Sequence, residues 1–531
     1  MMNSRRITFI AALILILVTS NLATLYLNSG QIISEGNLDT KDGEKLFYIV
    51  HSPKTTDPKP LVVLIHGFSG SSEMLDIMAN ELANNGMLTI TYDLRGHGKS
   101  TSSWYRGNLS DIFDDFHAIV ELAEREYNAR TEMIAVIGHS MGASITQDFA
   151  QNDSRIQCLV LLGSQIDLNI SSKVNILTII GQYDEITNLD QALVAFKNNT
   201  GIENPEIGKV YGNFTENNAR EYSVSSLSNH LTLLYNSDAI RKVVSWIAEF
   251  YQIGNPVFSD DLRIGVYLIV FFISYLTIFF IVGEFRDKFE SKNEVPEKRF
   301  NLLWIIPTYV TGSLLSSLIA IFLFFFFVTL TPLFMSDYIL TFFYSQILAI
   351  YLSIYIYKKI TQKDLRSLLK TYLVRDRLLW RIVYALIIAG VVYLMNLIAL
   401  QQFFNVELGI SRIGLFVELS ILLVPYTIFN EIFFRVIANE AGKDLFRRIL
   451  FSASLRGASL IIFYLMMTIT FGGTSGFLGL LSIMLYATIL LQLSYDLVSA
   501  YIFSKTHSIT EQIIWSTLVY AVILTAISPI I

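Results

Sequence analysis

The chain holds a single cysteine, Cys158, in 531 residues, and that count excludes an intramolecular disulfide. Cys158 opens the apolar run CLVLLG and reads as a buried small hydrophobe. Charge is scarce too. Charged residues make up 16% of the chain and hydrophobic residues 53%, whereas soluble chains carry about 25% charge. That shortfall places part of the chain in a membrane. Basic residues number 39 against 45 acidic, a net charge of -6. With no strongly basic domain, nothing points to nucleic acid as a partner. An internal repeat and a low-complexity tract are also lacking, and no A-x-A cleavage site follows the first apolar run.

What is present falls into three zones. In residues 1–29, Arg5 and Arg6 precede an apolar run from Ile7 to Leu27. At 1.5 Å per residue it spans roughly 30 Å of hydrocarbon, so it reads as an uncleaved anchor with a cytoplasmic N-terminus. Residues 30–262 read as an α/β domain. Short apolar runs (LVVLIHG, MLTITYD, MIAVIGHS, CLVLLGS, ILTIIGQYD) alternate with amphipathic segments such as DIFDDFHAIVELAERE. This alternation predicts parallel βαβ units. Residues 263–531 predict an all-α polytopic membrane domain, with apolar spans near 264–283, 302–329, 339–357, 379–400, 413–436, 457–473, 477–503 and 513–531. Basic residues crowd every second loop. EFRDKFESKNEVPEKR holds five and KKITQKDLRSLLKTYLVRDRLLWR eight, while TPLFMSDY and QQFFNVELGISR share one. The expectation is a multi-pass cell-membrane protein whose basic loops are inside and whose α/β domain is outside.

The stretch IGHSMGASI contains G-x-S-x-G. Alone the pattern is weak, because about 0.2 matches are expected by chance in a chain this long. Its setting strengthens it: an apolar strand precedes Ser140 and a helix with small residues follows. A nucleophile elbow needs that strand–turn–helix order. The partners of such a serine follow it as acid, then histidine. Only His230 lies downstream of Ser140 within the α/β zone. Asp184, at the end of ILTIIGQYD, is the first candidate for the acid, and Asp167 is the second. Both follow apolar strands, whose C-terminal ends form ligand sites in open α/β sheets. The backbone amides of Phe68, in LIHGFSG, and Met141 are candidates for the oxyanion hole. His66 reads as structural, and Arg95 and His97 receive no catalytic role. Each of Ser140, Asp184 and His230 could, taken singly, be an ordinary cap or loop residue; their order at strand ends is what points to chemistry.

Together, HGFSG, DLRGHGKS, GHSMGA, GQYDEIT and His230 ahead of SWIAEF resemble the α/β-hydrolase superfamily over roughly residues 37–250. The nearest likeness is to its serine aminopeptidase and monoacylglycerol-lipase-like branch. The resemblance implies a doubly wound, mostly parallel sheet and acyl transfer by Ser140, His230 and Asp184. It implies no metal or cofactor, and it leaves ester and peptide substrates both open. Many relatives insert a helical cap before the acid-bearing strand. Here about 21 residues separate Gly163 from Asp184, strand included, so there is no room for one. The expectation is a membrane-embedded serine esterase acting on a lipid-like or small acyl ester beside the lipid bilayer. The rivals are an aminopeptidase of the same fold and a transporter or receptor whose hydrolase-like domain only binds ligand.

In the membrane zone, NEIFFR places Glu431 and Arg435 four residues apart on an apolar helix, where they can pair. Ionisable residues at such depth mark a candidate intramembrane site. The stretch is similar, in one short motif, to the E-E-x-x-x-R of CAAX-protease-like intramembrane peptidases. Asn430 stands where the first glutamate would be, and Trp515 where a histidine would fall. The first expectation for this pair is a structural ion pair, ahead of a ligand site or a residual peptidase.

Overall fold

The computed structural model describes residues 30–101, 103–104, 109–166, 173–258, 302–362, 364–401, 405–438, 445–471 and 475–530, with isolated positions before 30 and between 265 and 279. The expected N-terminal anchor and most of the span at 264–283 lie outside the described residues.

Eight strands form one sheet: β1 (Gln31–Asp39), β2 (Lys45–Pro53), β3 (Lys59–Ile65), β4 (Leu88–Tyr92), β5 (Ala129–His139), β6 (Ile156–Leu162), β7 (Asn175–Gly181) and β8 (Arg220–Ser225). Their order is β1-β2-β4-β3-β5-β6-β7-β8. β2 is antiparallel to both its neighbours, and every other pair is parallel. This is the α/β-hydrolase arrangement. β3, β4 and β7 are buried at every position, so both their faces need mostly apolar side chains, interrupted by the buried Lys59, Thr89, Thr91, Asn175 and Thr178.

Helices cover the two faces. α1 (Asp76–Asn84) and α5 (Ser237–Phe250) lie on one, and α2 (Leu109–Tyr127), α3 (Met141–Asn152) and α4 (Leu189–Thr200) supply the other. α5 shows how the sequence sets this up. The Asn236 side chain accepts from the amides of Asp238 and Ala239, capping the first turn. Ile240, Val243, Val244 and Ile247 then repeat at helical spacing and bury one stripe against the sheet. The β6–β7 connection, Gly163 to Val174, carries no helix among its described residues.

The C-terminal half is an all-α transmembrane bundle: α6 (Leu302–Leu330), α7 (Phe334–Thr361), the short α8 (Leu365–Tyr372), α9 (Leu378–Leu400), α10 (Ile413–Glu431), α11 (Leu445–Phe471), α12 (Ser475–Thr506) and α13 (Thr510–Ile527). Among the described residues, five helices are long and apolar enough to cross a membrane. Trp304–Ala320 and Phe322–Leu330 pass the same test as a pair bent by 57°, the geometry of a broken span or a re-entrant loop. The span expected at 457–473 begins earlier, at Leu445, because the bundle buries Arg456 rather than leaving it in a loop. The last span ends at Ile527. Ser528 is extended (ψ 132), as a residue before proline favours.

The end of the bundle formed by the α9–α10 loop and the residues after α13 abuts the hydrolase domain. There the Asn405 amide donates to Ser71 Oγ (3.1 Å) and the Ile530 amide to Gly96 O (2.8 Å). The basic segment from Lys358 to Arg381 packs at the opposite end, where the Ile509 amide donates to Tyr372 O (2.9 Å).

Candidate active site

β5 ends at His139 and α3 begins at Met141, so Ser140 alone makes the turn. Its φ of 54° and ψ of -117° lie in a region that L-residues avoid. The glycines around it make the turn sterically feasible. A Cβ on Gly138 would come within 2.5 Å of Ala143 Cα, and one on Gly142 would strike the carbonyl oxygens of Ile65 and His66. The Ser140 amide donates to Leu162 O (2.8 Å), pinning the elbow to β6.

Asp184 follows β7. Its carboxylate accepts from the amides of Ile186 (3.0 Å) and Thr187 (2.7 Å), which fix its direction. His230 follows β8, and its Nδ1 lies 3.0 Å from both carboxylate oxygens of Asp184. Both side chains are buried, at 2% and 0% exposure. A proton on Nδ1 satisfies this contact, which leaves Nε2 as the basic nitrogen. Nε2 is buried and takes no hydrogen bond among the described residues. Gly163 gives the ring its space. Its φ is +62°, and a Cβ there would lie 2.9 Å from His230 Cε1. The His230 backbone is tied on both sides, its amide to Glu185 Oε2 (3.1 Å) and its carbonyl to His139 Nε2 (2.9 Å).

The structure therefore brings Ser140, Asp184 and His230 to the C-terminal ends of β5, β7 and β8. Asp167 lies outside the described residues. Phe68 follows Gly67, whose Cβ would stand 3.1 Å from Ser140 Cβ, so the oxyanion candidate sits beside the elbow. Met141 opens α3, and its amide belongs to the first turn, which has no partner within the helix. Burial holds His66 down at about 4, and burial followed by the neighbouring His230 holds His139 at about 3. Burial also holds His97 well below its ordinary value. These three rings are neutral at pH 7 and act as structural groups. Arg95 pairs with Asp115 (2.6 Å) and Asp42 (2.5 Å), joining the loop after β4 to α2 and to the β1–β2 turn.

In the bundle, Arg435 Nε lies 3.6 Å from Glu431 Oε2, and the closer partner of Arg435 is Asp496. Arg456 Nη2 reaches the same Asp496 oxygen (3.1 Å), and its guanidinium lies 4.1 Å from the centre of the Phe434 ring. Glu431 accepts from Ser499 Oγ (2.8 Å) and from the Tyr495 hydroxyl. Sequence reasoning missed Asp496 and Arg456 as partners. Their signal was a single charge set inside a long, otherwise uncharged stretch of each of two apolar helices, Arg456 within residues 449–471 and Asp496 within residues 475–504. A π-helical turn over Ile432–Ile437 carries Arg435 in this arrangement.

Residues 56–255 match the family described as serine aminopeptidase, S33, and lie within the α/β domain. A monoacylglycerol lipase of Mycolicibacterium smegmatis is 29% identical over 136 residues, 25% of this chain and 48% of that one. A bifunctional esterase/perhydrolase of Acinetobacter calcoaceticus is 33% identical over 86 residues, 16% of this chain and 30% of that one. A monoglyceride lipase of Saccharomyces cerevisiae is 28% identical over 122 residues, covering 22% and 39%. The chain spans less than half the length of these relatives.

Proposed function

We propose that the chain is a membrane-embedded serine hydrolase that cleaves an acyl ester, lipid-like or small, through an acyl-enzyme. The observation that carries this reading is the Asp184–His230 contact at strand ends beside the strained Ser140 elbow. His230 Nε2 takes the Ser140 proton as Oγ attacks the ester carbonyl. The carbonyl oxygen gains negative charge, which the Phe68 and Met141 amides stabilise. The bond to the alcohol breaks, and His230 returns the proton to the leaving oxygen. Water then releases the acid by the same path. Asp184 keeps the imidazole in its tautomer and stabilises its charged form.

The lipid-like preference rests on tethering. The domain is joined to the bundle in sequence and packed on it in space, so amphiphiles in the bilayer meet it at raised effective concentration. The orientation that fits puts the α/β domain outside the cell membrane and the segment from Lys358 to Arg381 inside. The charges of Glu431, Asp496, Arg435 and Arg456 balance in number. We assign them to holding helices together, since removing one partner of a buried set leaves an uncompensated charge. A second reading, aminopeptidase activity, is favoured by the family description matched over residues 56–255. The test uses the full chain in liposomes on a monoacylglycerol, a soluble short-chain ester and an amino-acid amide, with Ser140→Ala as control. Turnover of the esters, highest for the lipid and lost in Ser140→Ala, is the expected result. A dominant rate on the amide would establish the second reading.

A further inference from the structure

The β6–β7 connection is too short to hold a helical cap, and the bundle closes on two loops of the hydrolase domain. The Ile530 amide donates to Gly96 O (2.8 Å), and the Trp104 amide donates to Ile530 O (2.5 Å). Arg412, at 1% exposure, gathers this contact. Its Nη1 donates to the carbonyls of Thr525 (2.6 Å) and Ser528 (2.7 Å) at the end of α13, and its Nη2 donates to Gly96 O (3.1 Å). Gly96 has φ +72°, and a Cβ there would strike Ile530 O and Trp104 N, so no other residue suits the crossing.

Contacts run from Gly96 to the candidate oxyanion loop. The ring of the next residue, His97, lies 5.2 Å from that of His66 and meets Phe68 edge-on at 5.6 Å. Phe68 also packs against the apolar cluster of the bundle, which includes Leu333 and Leu524. Further along the same loop, Ser71 Oγ accepts from the Asn405 amide (3.1 Å), and Glu73 accepts from Gln401 Nε2 (3.0 Å). The loop that carries the Phe68 amide is thus held from one side by β3 and from the other by the bundle.

We propose that Arg412 is a positioning residue for the hydrolase site: by clamping the end of α13 to Gly96 it makes the bundle the wall that fixes the Phe68 amide. The oxyanion hole is then complete only while the bundle is docked. This inference rests on the proposed serine-hydrolase reading. A donor displaced by about 1 Å loses much of its worth at a developing charge, and removing one outright costs about 10²–10³ in kcat.

The test measures kcat and KM of the full chain in nanodiscs on a soluble short-chain ester. A fluorophosphonate counts the competent serines at the end of labelling. Arg412→Ala and Ile530→Pro should each lower kcat about tenfold or more, with KM nearly unchanged and the serine count intact. Arg412→Lys should recover part of the loss. Ile530→Ala keeps the amide and should stay near wild type. If Arg412→Ala loses its titratable serine, Ile530→Pro decides alone, because it removes one amide beyond the last helix. Unchanged kcat in Ile530→Pro overturns the inference, and so does a rise in KM at constant kcat. Retained turnover in Ser140→Ala would instead overturn the underlying reading, so the two failures are distinguishable.

Discussion

His230 Nδ1 is shared between the two carboxylate oxygens of Asp184, 3.0 Å from each, while the carboxylate is held from behind by the amides of Ile186 and Thr187. The ring is therefore fixed in tautomer and direction. Ser140→Ala and His230→Ala should each remove turnover of a short acyl ester by roughly 10⁴-fold or more, because such groups act as a unit. Asp184→Asn should cost less than either, since it removes the charge and keeps the shape. Steady-state kinetics on the three variants checks the order. A nearly silent Asp184→Asn would dissociate the acid from the site.

Gly163 should be intolerant of a methyl group. Its φ is +62°, and the added carbon would sit 2.9 Å from His230 Cε1 and 3.4 Å from Asp184 Oδ2. Gly163→Ala should cost about 1–2 kcal/mol of backbone strain and about 10²-fold in kcat through displacement of the ring. Thermal melting and kinetics on the same preparation separate the two effects.

Glu73 should give the junction between domains a pH dependence. Burial, and after it the neighbouring Asp93, raises its carboxyl to about 7. The folded value lies above the ordinary one of 4.5, so folding favours the protonated form. That contribution is complete below pH 4.5 and is lost as pH rises through 7. Glu73→Gln keeps an oxygen for Gln401 and fixes the neutral form. It should match wild type near pH 4.5 and exceed it at pH 8 by on the order of 1–3 kcal/mol. Melting temperature against pH for the two proteins is the measurement. A constant difference across the range would contradict the assignment.

The basic segment from Lys358 to Arg381 and the hydrolase domain lie at opposite ends of the bundle. Cysteines placed at exposed sites in the hydrolase domain should react with an impermeant reagent on intact cells. Cysteines placed at Arg366 or Lys370 should react only after lysis. Cys158 is fully buried and gives no background. Labelling of Arg366→Cys from outside would reverse the proposed orientation.

The sheet was legible where both its faces are covered, because β3, β4 and β7 are then mostly apolar, with threonine the main interruption. β1 was not, since as an edge strand pairing only with β2 it leaves most of its residues partly or fully exposed. The elbow was legible because the turn demands glycine at 138 and 142 around the serine, a local requirement written in consecutive residues. His230 was legible through the scarcity of histidine. The docking of the bundle was not: Arg412, Gly96 and Ile530 meet only through tertiary structure, and Arg412 stood in the sequence as one basic residue in a loop. Asp496 likewise pairs with Arg435 across helices, at a separation that no local spacing rule reaches.

The most direct test of the account is the identity of the residue that a fluorophosphonate modifies in the full-length protein. A single adduct on Ser140, found by peptide mass mapping, absent in Ser140→Ala and formed far more slowly in His230→Ala, is the expected result. An adduct at another residue, or labelling that persists in Ser140→Ala, would contradict it.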